Sequence, residues 1–175
     1  MRLFRSAALT LFTLSALPAH ADDPVPESLG IAEITYDGTG CPAGTVGTYI
    51  SEDRQAMTLM FDNYAVSLTG SNGQRANKSC NIRLKMSVPP GWSFGLASAD
   101  FRGYGNLDAG VIGEQTSVYR FGPNRWSDVG LMRMTGPMSS DYTNSTNADT
   151  TAVEWSPCVK IDRRAQIFIF TQVTL

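Results

Sequence analysis

Apolar and polar residues alternate along most of this chain, and the alternation predicts β-strands. Successive side chains of a strand point to opposite faces, so an alternating run has one buried face and one solvated face. The clearest run spans 82–88, where every second residue is apolar and those between are polar. Similar runs predict further strands at 31–36, 45–50, 56–61, 64–68, 92–96, 115–121, 126–134, 151–155 and 166–173.

The last of these runs, 166–173, is apolar on both of its faces. Ile167 and Ile169 fall on one side, and Phe168 and Phe170 fall on the other. A strand with two apolar faces is typical of the interior of a sheet. We therefore predict that this run is a central strand.

Turn signals separate the predicted strands at short intervals, and no segment after residue 21 carries an apolar stripe of helical period. About nine short strands with this punctuation predict an all-β fold, a β-sandwich or jelly-roll-like arrangement of two packed, mainly antiparallel sheets. Two stacked sheets bury the apolar faces that a single sheet would leave in water. The polar stretch 141–151 is predicted to be an exposed loop.

The first 21 residues have the layout of a secretory signal peptide. Two arginines precede a short apolar run at 9–17, and a small-x-small cleavage site ends at Ala21. The run is roughly half of the 20 residues that a membrane-spanning helix needs. We expect a secreted protein, or a periplasmic one in a bacterium with two membranes. The predicted organisation is a signal peptide at 1–21, a flexible lead-in at 22–30 and a single β-sandwich domain at 31–175.

Cleavage after Ala21 would leave a chain without histidine, because His20 is the only one. This excludes catalytic Ser-His-Asp and Cys-His groups and the usual zinc and copper sites. The loss of Arg2 and Arg5 makes the formal net charge of −2 more negative by two. A mildly acidic chain has no electrostatic attraction to nucleic acid, and no later run is long enough to insert into a membrane. We expect a non-catalytic protein without a cofactor or a metal site, and the sequence specifies no oligomeric state.

Three widely spaced cysteines fit an oxidising compartment better than a metal or redox motif. We expect one disulfide and one free thiol. If every connection reverses the chain direction, Cys41 and Cys158 lie at one end of the sandwich, and we favour that pair. If 62–63 is only a bulge within one strand, Cys41 and Cys80 share an end instead, and this pairing is the alternative. Cys80 is in phase with the apolar residues that follow it, so it is predicted to point inward.

Several short motifs together resemble one family of small secreted proteins of fungi and bacteria, the domain-of-unknown-function family numbered 4360. In chain order these motifs are GTGCPAGT at 38–45, NKSC at 77–80, PGW at 90–92, FRGY at 101–104, LDAG at 107–110, GP at 136–137, DY at 141–142 and WSPC at 155–158. The resemblance covers nearly all of the chain after residue 30. It implies secretion and one compact domain, and it implies no catalytic residue.

Acidic residues around the Arg102 loop offer a catalytic alternative. Asp100, Asp108 and Glu114 could supply the two nearby carboxyl groups of a small glycoside hydrolase or lyase. They could also bind calcium through oxygen ligands, an interpretation that we do not favour. A surface turn in which Asp100 pairs with Arg102 explains the same residues more simply.

Aromatic residues in polar loops are the candidates for a binding surface. Tyr104 and Tyr142 stand among glycine and serine residues and are predicted to be exposed. With Arg102 and Asp108 they form the predicted binding site. The partner we expect is an extracellular polysaccharide or a surface protein. A structural or protein-interaction domain without a small ligand is a further hypothesis. Asn77 and Asn144 match the N-glycosylation pattern, which matters only in a eukaryotic secretory route.

Overall fold

The computed structural model describes residues 26–68, 75–124, 126–147, 153–160 and 165–175. These residues form antiparallel β-strands and no helix, so the predicted all-β class is confirmed. The nine strands are β1 (Gly30–Asp37), β2 (Val46–Ile50), β3 (Met57–Phe61), β4 (Asn77–Ser87), β5 (Ser98–Leu107), β6 (Ile112–Phe121), β7 (Ser127–Thr135), β8 (Met138–Asn147) and β9 (Ala165–Thr174).

Five of these strands form one antiparallel sheet in the order β1-β4-β9-β6-β7. The strand with two apolar faces, β9, lies in the middle of this sheet, as predicted. It pairs with β4 along one edge and with β6 along the other. The first and last strands therefore lie in the same sheet, on either side of β4, since β1 pairs with β4 and β4 pairs with β9.

One face of the five-stranded sheet holds the core and is covered by the other elements. Buried side chains on this covered face come from β4, β6 and β9, including Leu84, Phe121 and Ile167. The β2–β3 hairpin packs Met57, Leu59 and Phe61 against them. The arrangement is sandwich-like, because a second layer of strands buries one side of the sheet.

The second part of the covering layer is a two-stranded ribbon formed by β5 and β8, which the alternation did not predict. The predicted loop at 141–151 is wrong where it overlaps β8, because residues 141–147 pair with β5. Polar residues and glycines make up most of both strands, so the sequence lacks the regular apolar alternation of a half-buried strand.

Three predicted strands are absent from the described residues. Residues 64–68 have no strand structure, and 92–96 and 153–155 share only an isolated bridge between Gly95 and Trp155. Phe94 is nevertheless buried and packs edge-on against Phe121 at 5.3 Å between ring centroids. These apolar residues therefore contribute to the core from irregular backbone.

The disulfide joins Cys41 to Cys80, so the favoured pairing of Cys41 with Cys158 is wrong and the alternative is correct. Both bonded cysteines are fully buried, whereas Cys158 is free and exposed. The reason lies in the topology: β1 pairs antiparallel with β4, and Asp37 at the end of β1 faces Asn81. The end of β1 therefore lies beside the start of β4, and the predicted inward direction of Cys80 is confirmed.

The predicted signal peptide at 1–21 lies outside the described residues. Of the predicted lead-in at 22–30, the described part is ordered: Leu29 N–H donates to the carbonyl of Pro26 at 2.8 Å, and Gly30 begins β1. Within the described ranges, no helix has the length and apolar character needed to cross a membrane.

Candidate functional site

The residues singled out from the sequence lie on or beside the β5–β8 ribbon. Arg102 and Tyr104 are on β5, Tyr142 is on β8, and Asp108 directly follows β5. The two strands pair in continuous register from Ser98 with Asn147 to Leu107 with Met138. Strand alternation, rather than a loop conformation, therefore decides which face of the ribbon each side chain occupies.

Arg102 and Tyr104 are two residues apart on β5, so they project from the same face. That face points away from the five-stranded sheet, and its side chains are exposed. We call this surface the outer face of the ribbon; its members are Asp100, Arg102, Tyr104, Asn106, Ser139, Asp141, Thr143 and Ser145. It presents carboxylates, an amide, hydroxyls, a guanidinium and one aromatic ring.

Tyr104 is the only ring on this face, and it is fixed at its polar end. Its side chain is 62% exposed, and its hydroxyl lies 2.8 Å from the Ser139 hydroxyl, where either group can donate. The residue directly opposite Tyr104 is Asp141, so the bond to Ser139 draws the ring diagonally across the ribbon toward β8. An exposed ring thus lies over the polar side chains of both strands.

Arg102 also belongs to the outer face, and it forms only a weak ion pair with Asp100. Its guanidinium lies 3.9 Å from the carboxylate of Asp100, and both side chains are more than half exposed. Exposed ion pairs of this kind contribute little, because water screens both charges. Arg102 therefore remains free to contact a ligand.

Tyr142 lies on the opposite face of the ribbon, because it pairs with Gly103 rather than with Tyr104. Its hydroxyl donates to the Oε1 atom of Gln115, on the five-stranded sheet, at 3.1 Å. Burial raises its pKa above the ordinary value of a tyrosine. The structure therefore separates Tyr142 from Tyr104, and the expectation that both are exposed in loops is wrong because the two segments pair as strands.

Asp108 lies beyond the outer face, at the turn between β5 and β6. Its side chain is exposed, and its backbone carbonyl accepts a hydrogen bond from the N–H of Val111 at 3.0 Å. This geometry gives Asp108 a turn-forming role.

The three carboxylates of the catalytic alternative lie on different surfaces. Asp100 is on the outer face of the ribbon, whereas Glu114 is on β6 and pairs with Arg133 of β7 at 3.2 Å. Asp108 is in the turn between them in sequence. Across the part of the chain that the structure describes, no three histidine, cysteine, aspartate or glutamate residues converge to hold a metal ion.

A second exposed surface, which the sequence did not suggest as a site, lies on the other side of the five-stranded sheet. Facing positions on β4, β9 and β6 place Arg83, Phe168 and Arg120 in one row, and Trp126 follows beside Arg120. No described strand covers this side, which we call the open face. The sequence feature that could have revealed this surface is the second apolar side of β9, from which only a central strand was predicted.

Comparison with known proteins agrees with the family suggested by the motifs. The model of the Domain of unknown function (DUF4360) family matches residues 27–175. An uncharacterized secreted protein from Arthroderma benhamiae is 40% identical over 136 residues, which cover 77% of this chain and 56% of that protein. The chain thus spans just over half the length of this curated relative. No solved structure matches the chain. Because the family model covers nearly all of it, the chain belongs to the DUF4360 family.

Proposed function

We propose that this protein is a secreted, non-catalytic domain that binds a neutral extracellular polysaccharide on the outer face of the ribbon. The observation that carries the proposal is Tyr104, a largely exposed ring held across a polar surface by Ser139. A ring already fixed in place loses little conformational freedom on binding. Its apolar face can pack against the C–H face of a sugar ring.

The neighbours of Tyr104 have the chemistry that sugar hydroxyls require. Asn106, Asp141 and Thr143 lie on the same face and supply acceptors, and Asn106 and Thr143 also supply donors. The outer face is an exposed strand surface, which suits an extended polymer more than a small buried ligand. Two carboxylates, on Asp100 and Asp141, outnumber the one guanidinium of Arg102, so this surface favours a neutral polymer over an acidic one.

Secretion is supported by three observations. The first 21 residues have the charged, apolar and small-residue regions of a signal peptide. The relative from Arthroderma benhamiae carries the description of a secreted protein. The disulfide between Cys41 and Cys80 also fits an oxidising compartment.

Binding of the purified protein to a panel of neutral polysaccharides tests the proposal. We expect saturable binding to at least one polymer, with affinity reduced about tenfold by Tyr104→Ala through loss of ring contact. Tyr49→Ala is the matched control, because Tyr49 is also a strand tyrosine and is 61% exposed, but it lies on the β2–β3 hairpin. Circular dichroism of each variant establishes that it is folded.

Two results would overturn the proposal. One is the absence of saturable binding to every neutral polymer of the panel. The other is an equal loss of affinity in Tyr104→Ala and Tyr49→Ala, which would show that the outer face of the ribbon is not the site.

A further inference from the structure

The open face carries a row of alternating cationic and aromatic side chains. The guanidinium carbons of Arg83 and Arg120 lie 5.2 Å and 5.1 Å from the centroid of the Phe168 ring. The guanidinium carbon of Arg120 is also 4.7 Å from the Trp126 ring, and Trp126 is 42% exposed. Contacts of this kind hold a guanidinium by its flat side and leave its edge available for hydrogen bonds.

The two arginines of this row have no carboxylate partner among the described residues, whereas other cations on the same face do. Lys85 pairs with Glu33 at 2.6 Å, and Arg133 pairs with Glu114 at 3.2 Å. Neither Arg83 nor Arg120 forms an ion pair or a side-chain hydrogen bond within the described ranges. The Nε atom of Arg120 is buried and without a hydrogen-bond partner there. The row therefore presents two guanidinium groups that have no ion-pair partner within the described ranges, on a face that also carries the exposed carboxylates of Asp37 and Asp128.

Charge and shape together define what this row can bind. A guanidinium edge matches a carboxylate with two parallel hydrogen bonds, a geometry that a lysine cannot offer. The intervening Phe168 ring offers an apolar surface between the two charges. A ligand that presents repeated carboxylates on apolar-faced rings fulfils both requirements, and a polymer of uronic acids has this chemistry.

We infer that the open face is a binding site for a carboxylated polysaccharide, with Arg83 and Arg120 pairing with uronate groups on either side of Phe168. The site does not depend on the proposed function of the ribbon. The ribbon covers one side of the five-stranded sheet and points outward from it, so the outer face and the open face point in opposite directions. One molecule could therefore bridge a neutral and an acidic polymer.

Affinity electrophoresis of the purified protein in gels that contain polygalacturonate tests this inference. We expect retardation that weakens as salt is added, since ions screen charge pairing. The double variant Arg83→Gln/Arg120→Gln is expected to lose at least about tenfold in affinity. Arg133→Gln is the matched control, because it removes one charge from the same face at a residue already paired with Glu114.

Two further arms make the test specific. Arg83→Lys/Arg120→Lys keeps both charges but loses the planar fork, so it is expected to bind polygalacturonate more weakly than the unchanged protein and more tightly than the glutamine variant. Tyr104→Ala is expected to leave polygalacturonate binding unchanged, so failure of this inference and failure of the ribbon site are distinguishable.

The inference is overturned by any of four results. These are no retardation at low salt, equal affinity in the double glutamine variant and Arg133→Gln, full binding by the lysine variant, or tighter binding to dextran sulfate than to polygalacturonate.

Discussion

A hairpin and a two-stranded ribbon cover the same face of the five-stranded sheet, and they attach to it by different means. The β2–β3 hairpin packs large apolar side chains, such as Leu59 and Phe61, against the core. The β5–β8 ribbon brings fewer apolar side chains to the sheet, chiefly Phe101 and buried Leu107. Between them it has glycines and a tyrosine, with Gly103 beneath the Tyr142 ring and Tyr142 bonded to Gln115. Apolar burial holds the hairpin, whereas the ribbon combines a smaller apolar contact with a directed hydrogen bond.

The difference indicates how stability and binding are divided in this fold. A hairpin that buries apolar area gains free energy in proportion to that area. A ribbon that confines its apolar side chains to the inner face can keep polar side chains on its outer face, and a hydrogen bond into the sheet helps to position it. The separation leaves the outer face of the ribbon available for a ligand without a cost to the core.

Removal of the disulfide is the largest expected change, and it acts on the side of the β2–β3 hairpin. Cys41 and Cys80 close a loop with a sequence separation of 39 that contains this hairpin, and the described residues of the ribbon have no such closure. The loop-entropy argument predicts that Cys41→Ala/Cys80→Ala lowers the free energy of unfolding by about 4 kcal/mol. Urea denaturation measures this loss.

Cys158→Ala is the control, because Cys158 is exposed and free, and it should change stability by less than about 0.5 kcal/mol. A thiol count in denaturant without reductant should give one thiol per chain. If the double variant lost less than about 1 kcal/mol, the hairpin would not depend on the closed loop, and the comparison would fail.

Tyr142→Phe tests the attachment of the ribbon, as removal of the disulfide tests the attachment of the hairpin. It keeps the ring over Gly103 but leaves the amide oxygen of buried Gln115 without its donor. We expect a loss of about 1–2 kcal/mol and faster amide exchange in β5 and β8 than in β2 and β3. Tyr104→Phe removes a hydroxyl from an exposed bond and should leave stability nearly unchanged. Equal effects of the two substitutions would show that Tyr142 does not anchor the ribbon.

The smallest expected effect is a pH dependence that comes from Tyr64, which follows the β2–β3 hairpin. Burial raises its pKa to about 12, against the ordinary 10.0, although its hydroxyl bonds to Thr171 at 3.0 Å. Because the folded state holds the proton more tightly, the stabilising contribution is complete below pH 10 and is lost as the pH rises toward 12. After allowance for solvent screening, the loss is about 1 kcal/mol.

Urea midpoints at pH 9 and pH 11 measure this dependence. A Cys158→Ala background prevents a thiolate from attacking the disulfide at high pH. Adding Tyr64→Phe should reduce the fall in stability between the two pH values; an unchanged fall would assign it to other tyrosines, such as Tyr119, whose pKa is also raised by burial.

Local alternation predicted seven strands that the structure contains, and it failed at the two strands of the ribbon, where the apolar positions are few. The β5–β8 ribbon is a regular pair of strands, but Gly103, Tyr104 and Gly105 follow no apolar pattern. The reverse error occurs at 92–96, where the apolar phase of a strand is present but Phe94 reaches the core from irregular backbone. The candidate site was also predicted only in part. Arg102 and Tyr104 lie together on one face, whereas strand pairing turns Tyr142 to the opposite face.

By itself, the sequence determined the all-β class, the inward direction of Cys80 and the central place of β9, because each follows from the period of two within one short segment. Only the tertiary structure decided that Cys80 pairs with Cys41, since that depends on β1 lying beside β4. It also decided that strands cover the Ile167 side of β9 while the Phe168 side packs against arginines. An apolar side chain favours burial wherever it lies in the sequence, but the arrangement of distant segments determines which groups cover it.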